Sequence, residues 1–307
     1  MKSNTFTEVL AKPYFRTKRM FLHLTDILIR DRTKRNSFCS WATFPRFAET
    51  INHEPYAPRI NVAFCFNQNL ILQATTTILS LLHNSPTCSY DIYCVTDITP
   101  GQRQTLSQTI AQVSPQSKVH FLKPNSDYAD AQLGTWSDAI YWRCMLPALL
   151  PNIDQIIYAD VDTVFLSDLR AVNEINFGDK LIAGCFDKPG YINSGFMVMN
   201  LKQIRTKNIY PKMIDWARNN LTKYPDQDMI NHVCHGRILP LSRKYNLIVV
   251  AAYSMLKNMT IKQYNDLKHP VMLHYAGKLK PWDYSIKSFF TFDIWRKYAR
   301  MTGLTDK

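Results

Sequence analysis

The sequence predicts an α/β protein built on a doubly wound parallel sheet with helices on both faces. Two observations carry that prediction. From residue 60 onward, short apolar runs of strand length alternate with longer segments of helical period, which is the pattern of βαβ units. Of the 307 residues, 46% are apolar and 12% aromatic, enough to bury one large core or two smaller ones. In chain order, INVAFCF (60–66) reads as the first strand. NLILQATTTILSLLHN (69–84) reads as an amphipathic helix with Leu70, Ile71, Ala74, Ile78 and Leu81 along one side. DIYCV (91–95) is a second strand, 102–113 a polar helix and KVHFL (118–122) a third strand. A helix around SDAIYWRCMLPALL (137–150), the strand QIIYA (155–159), and the strands KLIAGCF (180–186) and GFMVMN (195–200) follow. There is no internal repeat and no low-complexity segment.

The chain divides near residue 58, where EPYAP (54–58) breaks regular structure. Residues 1–58 form a basic extension in which Lys12, Arg16, Lys18, Arg19, Arg30, Arg32, Lys34 and Arg35 interleave with apolar residues such as Phe15, Phe21 and Leu24. Residues 59–284 form the α/β unit, and 285–307 a basic and aromatic tail. The formal net charge of +13 favours an anionic partner. No run approaches the ~20 apolar residues that cross a bilayer, and the start of the chain lacks the apolar block of a secretory signal, so a cytoplasmic protein is predicted. The basic extension suits the inner face of an anionic membrane. No RNA-binding motif or aromatic platform accompanies it, so no nucleic acid is expected. The seven cysteines are scattered through apolar runs and read as reduced core residues.

YADVDT (158–163) closes the QIIYA strand with two carboxylates, Asp160 and Asp162. Ligands of doubly wound sheets bind at the carboxyl ends of strands. An aspartate pair there can hold a hard divalent cation and, through it, a diphosphate. Asp-x-Asp also arises by chance, and Asp226-Gln227-Asp228 is a second instance. Position separates the two, because paired carboxylates beside an apolar strand repel each other unless a cation or donors compensate them. His232, Cys234 and His235 in HVCHG match no familiar zinc spacing and read as the end of a helix.

Seven segments in order, INVAFCFNQN, DIYCVTD, SDAIYWRCMLPALLP, QIIYADVDTVFLSDL, YINSGFMVMNL, YPDQDMIN and HYAGKLKPW, span roughly residues 60 to 282. Over this stretch the chain resembles the family 8 glycosyltransferases, a retaining, nucleotide-sugar-dependent group with the GT-A fold, in which a Rossmann-like mixed sheet is flanked by helices. The resemblance implies a hexosyltransferase acting in surface glycan or lipopolysaccharide assembly. It implies that Asp160, Asp162 and His274 bind Mn²⁺ or Mg²⁺, that the metal holds the diphosphate of UDP-galactose or UDP-glucose, and that a glycan or lipid-linked glycan accepts the sugar. Nucleotide-sugar hydrolysis and non-catalytic binding are the competing readings.

The resemblance also places donor contacts at Asn67, Asn69, Arg143, Val161, Asn193, Ser194, Gly277 and Lys280. Asn67 stands where relatives carry an acidic residue against uracil, and its carboxamide offers both an acceptor and a donor. Arg143 needs an anionic partner, either the donor or a carboxylate such as Asp160. Lys278 competes with Lys280 for the phosphate, and family spacing favours Lys280. Asn193 and Ser194 suit sugar hydroxyls, as they would also suit a turn. Gln227 is implied on the face of the anomeric carbon opposite UDP, with Asp226 on sugar hydroxyls and Asp228 as a helix cap.

Overall fold

A computed structural model describes residues 59–249, 251, 269–285 and 290–304. The basic extension, 1–58, lies outside the described residues. The strand β1 (Arg59–Phe66) leads through a short 3-10 turn into helix α1 (Ile71–His83). Strand β2 (Ser89–Thr96), helix α2 (Pro100–Val113) and strand β3 (Lys118–Leu122) continue the alternation. Helix α2 starts where the sequence supplies a start signal: Thr99 and Gln102 form a reciprocal capping box ahead of Pro100.

The segment expected as one helix over SDAIYWRCMLPALL is a 3-10 helix, Asp138–Met145, followed by a single turn, α3 (Leu146–Leu149). Pro147 has no amide to continue the ladder, which accounts for the change. Then come β4 (Gln155–Ala159), β5 (Thr163–Phe165), α4 (Arg170–Asn173), β6 (Ile182–Lys188) and β7 (Tyr191–Asn200). Helices α5 (Leu201–Thr206), α6 (Ile209–Asn219) and α7 (Pro225–Val233) precede β8 (Ile238–Leu241) and β9 (Leu247–Ile248). Strand β10 (Met272–His274) and helix α8 (Phe290–Met301) complete the described elements.

Seven strands form one sheet in the order β3-β2-β1-β4-β7-β6-β8. It is mixed: β7 runs antiparallel to both β4 and β6, while the other pairings are parallel. Periodicity alone predicted a parallel sheet, and the departure has a local cause. Only Pro189 and Gly190 separate β6 from β7, and a two-residue connection joins antiparallel strands, never parallel ones. Gly190 takes a left-handed φ of 73° there. A second, three-stranded sheet has the order β5-β10-β9, with β10 antiparallel to β5 and parallel to β9.

Alternate residues of β1 enter different cores, Ile60, Val62, Phe64 and Phe66 on one face and Ala63 and Cys65 on the other. The sheet is therefore buried on both sides, as a doubly wound sheet requires. Helix α1, expected to be amphipathic, is buried from Leu72 to Leu82. Its second side is covered by the tail segment, because α8 brings Phe292, Trp295 and Tyr298 into one cluster with Leu72, Val164, Leu273 and Tyr275. Six cysteines among the described residues are free and buried, as their apolar settings predicted.

Candidate metal and donor site

Two strand pairings create the site. In the β4–β7 register Ala159 faces Phe196, so the start of antiparallel β7 lies beside the carboxyl end of β4, and Asp160 N–H donates to Gly195 C=O at 2.9 Å. In the small sheet His274 pairs with Thr163, and Tyr275 N–H donates to Asp162 C=O at 2.9 Å. Residues more than a hundred positions apart are thereby brought to one site. Among the described residues, Asp160, Asp162 and His274 are the one trio whose ligand atoms all lie within 4.8 Å of one another.

Each ligand has one atom committed to the protein and one turned inward. Asp160 Oδ1 accepts from Tyr158 OH at 2.6 Å and pairs with Arg143 Nη1 at 2.9 Å. Its Oδ2 lies 3.7 Å from His274 Nε2. Asp162 Oδ2 pairs with Lys280 Nζ at 2.6 Å, and its Oδ1 lies 3.2 Å from the same Nε2. His274 Nδ1 meets Asn246 Oδ1 at 2.8 Å. Two carboxylate oxygens and one imidazole nitrogen thus converge, a donor set that suits Mn²⁺ or Mg²⁺. Burial by itself would raise the Asp162 pKa, but His274 and Lys280 outweigh it and hold the carboxyl well below the usual carboxylate range.

Arg143 ties the loop to α7. Its Nε lies 3.3 Å from Asp226 Oδ2, and its guanidinium stacks over Tyr158 at 4.8 Å. In the structure Arg143 pairs with two carboxylates, Asp160 and Asp226 together. Burial opposes the guanidinium charge, yet Asp160 leads the groups that raise its pKa above the ordinary value. For Asp226 burial is the larger influence and lifts its pKa, with Arg143 working against the rise.

The other expected donor contacts are placed as follows. Asn193 and Ser194 make protein contacts: Asn193 Nδ2 and Ser194 N–H both donate to Gln227 Oε1, at 3.0 and 3.1 Å, and Ser194 Oγ donates to Asp226 Oδ2 at 3.1 Å. Asp228 accepts from the N-cap amide of Tyr224 at 3.2 Å and from Tyr191 OH. Lys280 also donates to Tyr275 C=O at 2.9 Å, whereas Lys278 is exposed. Gly277 adopts a φ of 93°, a backbone state that side chains rarely take. Val161 is buried between the two aspartates. Asn67 Oδ1 accepts from Asn69 N–H at 3.1 Å and so caps the turn after β1, with Asn69 exposed on it. In HVCHG, His232 and His235 are exposed while Cys234 is buried, so these side chains do not converge.

The profile of glycosyl transferase family 8 matches residues 61–285. The chain belongs to glycosyl transferase family 8. This family 8 chain is 26% identical over 249 residues to a lipopolysaccharide 1,2-glucosyltransferase of Escherichia coli K12, covering 73% of this chain and 72% of that protein. It is 21% identical over 263 residues to a lipopolysaccharide 1,3-galactosyltransferase of Salmonella typhimurium, covering 76% and 77%. In fold it matches the galactosyltransferase LgtC, solved with donor and acceptor sugar analogs, at a TM-score of 0.66 and 17% identity over 80% of this chain and 95% of that one. It spans about half (51%) of the bifunctional glycosyltransferase WbbM, at a TM-score of 0.65 and 20% identity over 81% of this chain. The fold is GT-A, and family membership supports glycosyltransferase activity.

Sequence reasoning missed three contributors to this family 8 site. Tyr158 reads as a strand residue, yet its hydroxyl holds Asp160. Thr77 reads as the polar side of a helix, yet its buried Oγ1 lies 2.8 Å from both Val161 C=O and Thr163 C=O, the carbonyls flanking Asp162. Gly195 reads only as the first residue of the strand GFMVMN, yet a Cβ there would sit 2.2 Å from His274 Cε1. The signal available for Gly195 was its place at the start of a strand, where glycine marks close approach of another group. Gly195→Ala is therefore expected to push the imidazole out of line and weaken Mn²⁺ binding by about 10–100-fold, measured by electron paramagnetic resonance of free Mn²⁺. Unchanged affinity would mean that His274 does not ligate.

Proposed function

We propose that this chain is a metal-dependent, retaining hexosyltransferase that moves galactose or glucose from UDP-galactose or UDP-glucose to a hydroxyl of a glycan or lipid-linked glycan, as in lipopolysaccharide assembly. The observation that carries the reading is the convergence of Asp160 Oδ2, Asp162 Oδ1 and His274 Nε2 in a family 8 chain. Mn²⁺ or Mg²⁺ held there would supply positive charge to a bound diphosphate. Lys280, released from Asp162 toward the phosphates, would add a point charge, and Gly277 would let the backbone approach them. Asn67, Asn69 and Val161 would receive the nucleoside. Arg143 keeps Asp160 and Asp226 in register at the donor, and Asn193 and Ser194 hold Gln227 against the sugar.

Gln227 is an amide and a poor nucleophile, which favours attack by the acceptor hydroxyl on the face that UDP leaves, with its proton passing to the departing phosphate oxygen. Asp226 would then hold sugar hydroxyls. The test is transfer from each α-linked donor with Mn²⁺ present, following UDP release and the anomeric configuration of the first product by NMR. An α-glycoside and acceptor-dependent UDP release are expected, with Gln227→Ala slowing transfer by about 10²-fold. A β-glycoside would overturn the retaining assignment, and UDP release indifferent to acceptor would identify a hydrolase.

The same reading places the protein on the cytoplasmic side of an anionic membrane, bound through residues 1–58. Each Lys or Arg near such a surface contributes about 1 kcal/mol, and Phe15, Phe21 and Leu24 supply apolar contact. Deleting residues 1–55 is expected to abolish sedimentation with anionic vesicles while leaving UDP-sugar turnover. Equal sedimentation of both chains would assign the segment another purpose.

A further inference from the structure

A chain of side-chain amides, buried at Asn246 and half-buried at Asn193 and Gln227, runs from the metal trio to α7, and two backbone groups fix its directions. Gly195 N–H donates to the Asn193 side chain at 3.0 Å, so the atom facing it is the carbonyl oxygen, Oδ1. Ser194 N–H likewise fixes the atom of Gln227 it meets as Oε1, and Asn193 Nδ2 supplies the second hydrogen bond to that oxygen. Asn193 Oδ1 also faces Asn246 at 2.8 Å, so Asn246 must present its NH₂ there. The remaining amide atom of Asn246, Oδ1, then faces His274 Nδ1 at 2.8 Å. An oxygen without a proton can only accept, so Nδ1 carries the proton and Nε2 is the ring nitrogen turned toward Asp160 and Asp162. At the other end Gln227 Nε2 donates to Tyr191 OH at 3.1 Å, and Tyr191 donates to the Asp228 carboxylate. Every donor points the same way along the chain, the arrangement in which hydrogen bonds reinforce one another.

We propose that Asn246 is a positioning residue that keeps the His274 proton on Nδ1, leaving Nε2 to ligate, and that links this ligand through Asn193 to Gln227. Asn246 is buried, at 5% exposure, just ahead of β9, and its side-chain hydrogen bonds run to His274 and Asn193, so its effect passes through the imidazole and the amide of Asn193. The proposal rests on the metal reading, and the experiment separates the two.

Full-length protein labelled with ¹⁵N-histidine is examined without metal, at a pH where the ring is neutral, and the His274 signals are identified by their loss in His274→Gln. Mn²⁺ affinity is measured alongside by electron paramagnetic resonance, with Mn²⁺ alone as the probe. The wild type is expected to carry its proton on Nδ1. Asn246→Leu is expected to lose that preference and to bind Mn²⁺ about 10–100-fold more weakly. Asn246→Asp still accepts from Nδ1 but cannot donate to Asn193, so it should keep the ring form and Mn²⁺ affinity while turnover falls through the loosened Gln227. A wild-type ring protonated on Nε2, or an Asn246→Leu protein with ring form and affinity unchanged, would overturn the proposal. A wild type with the Nδ1 proton and no Mn²⁺ binding would support the positioning role and reject the metal reading.

Discussion

Asp162→Ala is expected to slow sugar transfer by about 10³-fold or more, with the fold intact. A ligand oxygen would leave a trio whose remaining members meet at 3.7 Å, Asp160 Oδ2 and His274 Nε2. On the proposed mechanism the metal would supply charge to a leaving diphosphate, its loss would cost several kcal/mol, and about 4 kcal/mol corresponds to three decades in rate. The loop itself should persist, because residue 162 is held through its carbonyl by Tyr275 N–H and through its neighbours' carbonyls by Thr77. Transfer by the wild type that survives in EDTA would sink the metal assignment. A second readout is the pH dependence of stability. The folded pKa of Asp162 lies below its ordinary 3.8, so its ionised form contributes stability that is fully present above that value and lost as pH falls below it. The difference in melting temperature between the metal-free wild type and Asp162→Asn should therefore shrink as pH falls below about 4. A difference that widens there would mean that Lys280 and His274 do not stabilise the carboxylate.

How much of this was legible in the sequence follows from how far apart the interacting groups lie. The β4 strand was read with its observed bounds from QIIYA, and its two closing aspartates stood out because carboxylates beside an apolar strand require compensation. The direction of β7 was written in Pro189-Gly190, a turn signal that periodicity does not weigh. Full burial of α1 was not legible, since Leu72 and its neighbours are covered by α8 from the far end of the chain. The threonines that look like a solvent face are satisfied locally, Thr75 and Thr76 donating to carbonyls four residues back. Asn246, Gly195 and Thr77 have no motif of their own. Their roles exist only once β10 lies against β5 and β7 against β4, pairings that bring together residues separated by tens to more than a hundred positions. The resemblance supplied the metal trio; the groups that orient it had to be read from the packing.

Arg143→Ala is expected to destabilise the protein by about 3–5 kcal/mol, the largest stability effect the site offers. The guanidinium is 11% exposed and stands between two carboxylates, Asp160 at 2.9 Å and Asp226 at 3.3 Å, with Ser194 C=O at 3.3 Å. Truncation leaves both acids partly buried with their main counter-charge gone, and the cost is that of the stranded charges more than of the lost contact. For a domain of this size each kcal/mol moves the melting temperature by roughly 2–4 °C, so calorimetry should register a fall of about 6–20 °C. Arg143→Lys should recover only part of it, because one ammonium cannot reproduce a planar fork that meets two acids and a carbonyl while stacking on Tyr158. A double variant distinguishes stranded charge from lost packing. If burial is what raises the Asp226 pKa, then Arg143→Ala combined with Asp226→Asn should be more stable than Arg143→Ala alone, since one uncompensated carboxylate has been removed. A double variant less stable than the single would place the cost in the packing of the guanidinium over Tyr158. The outcome bears on the proposed donor site as well, because the same arginine pairs with Asp160 and with the α7 carboxylate beside Gln227.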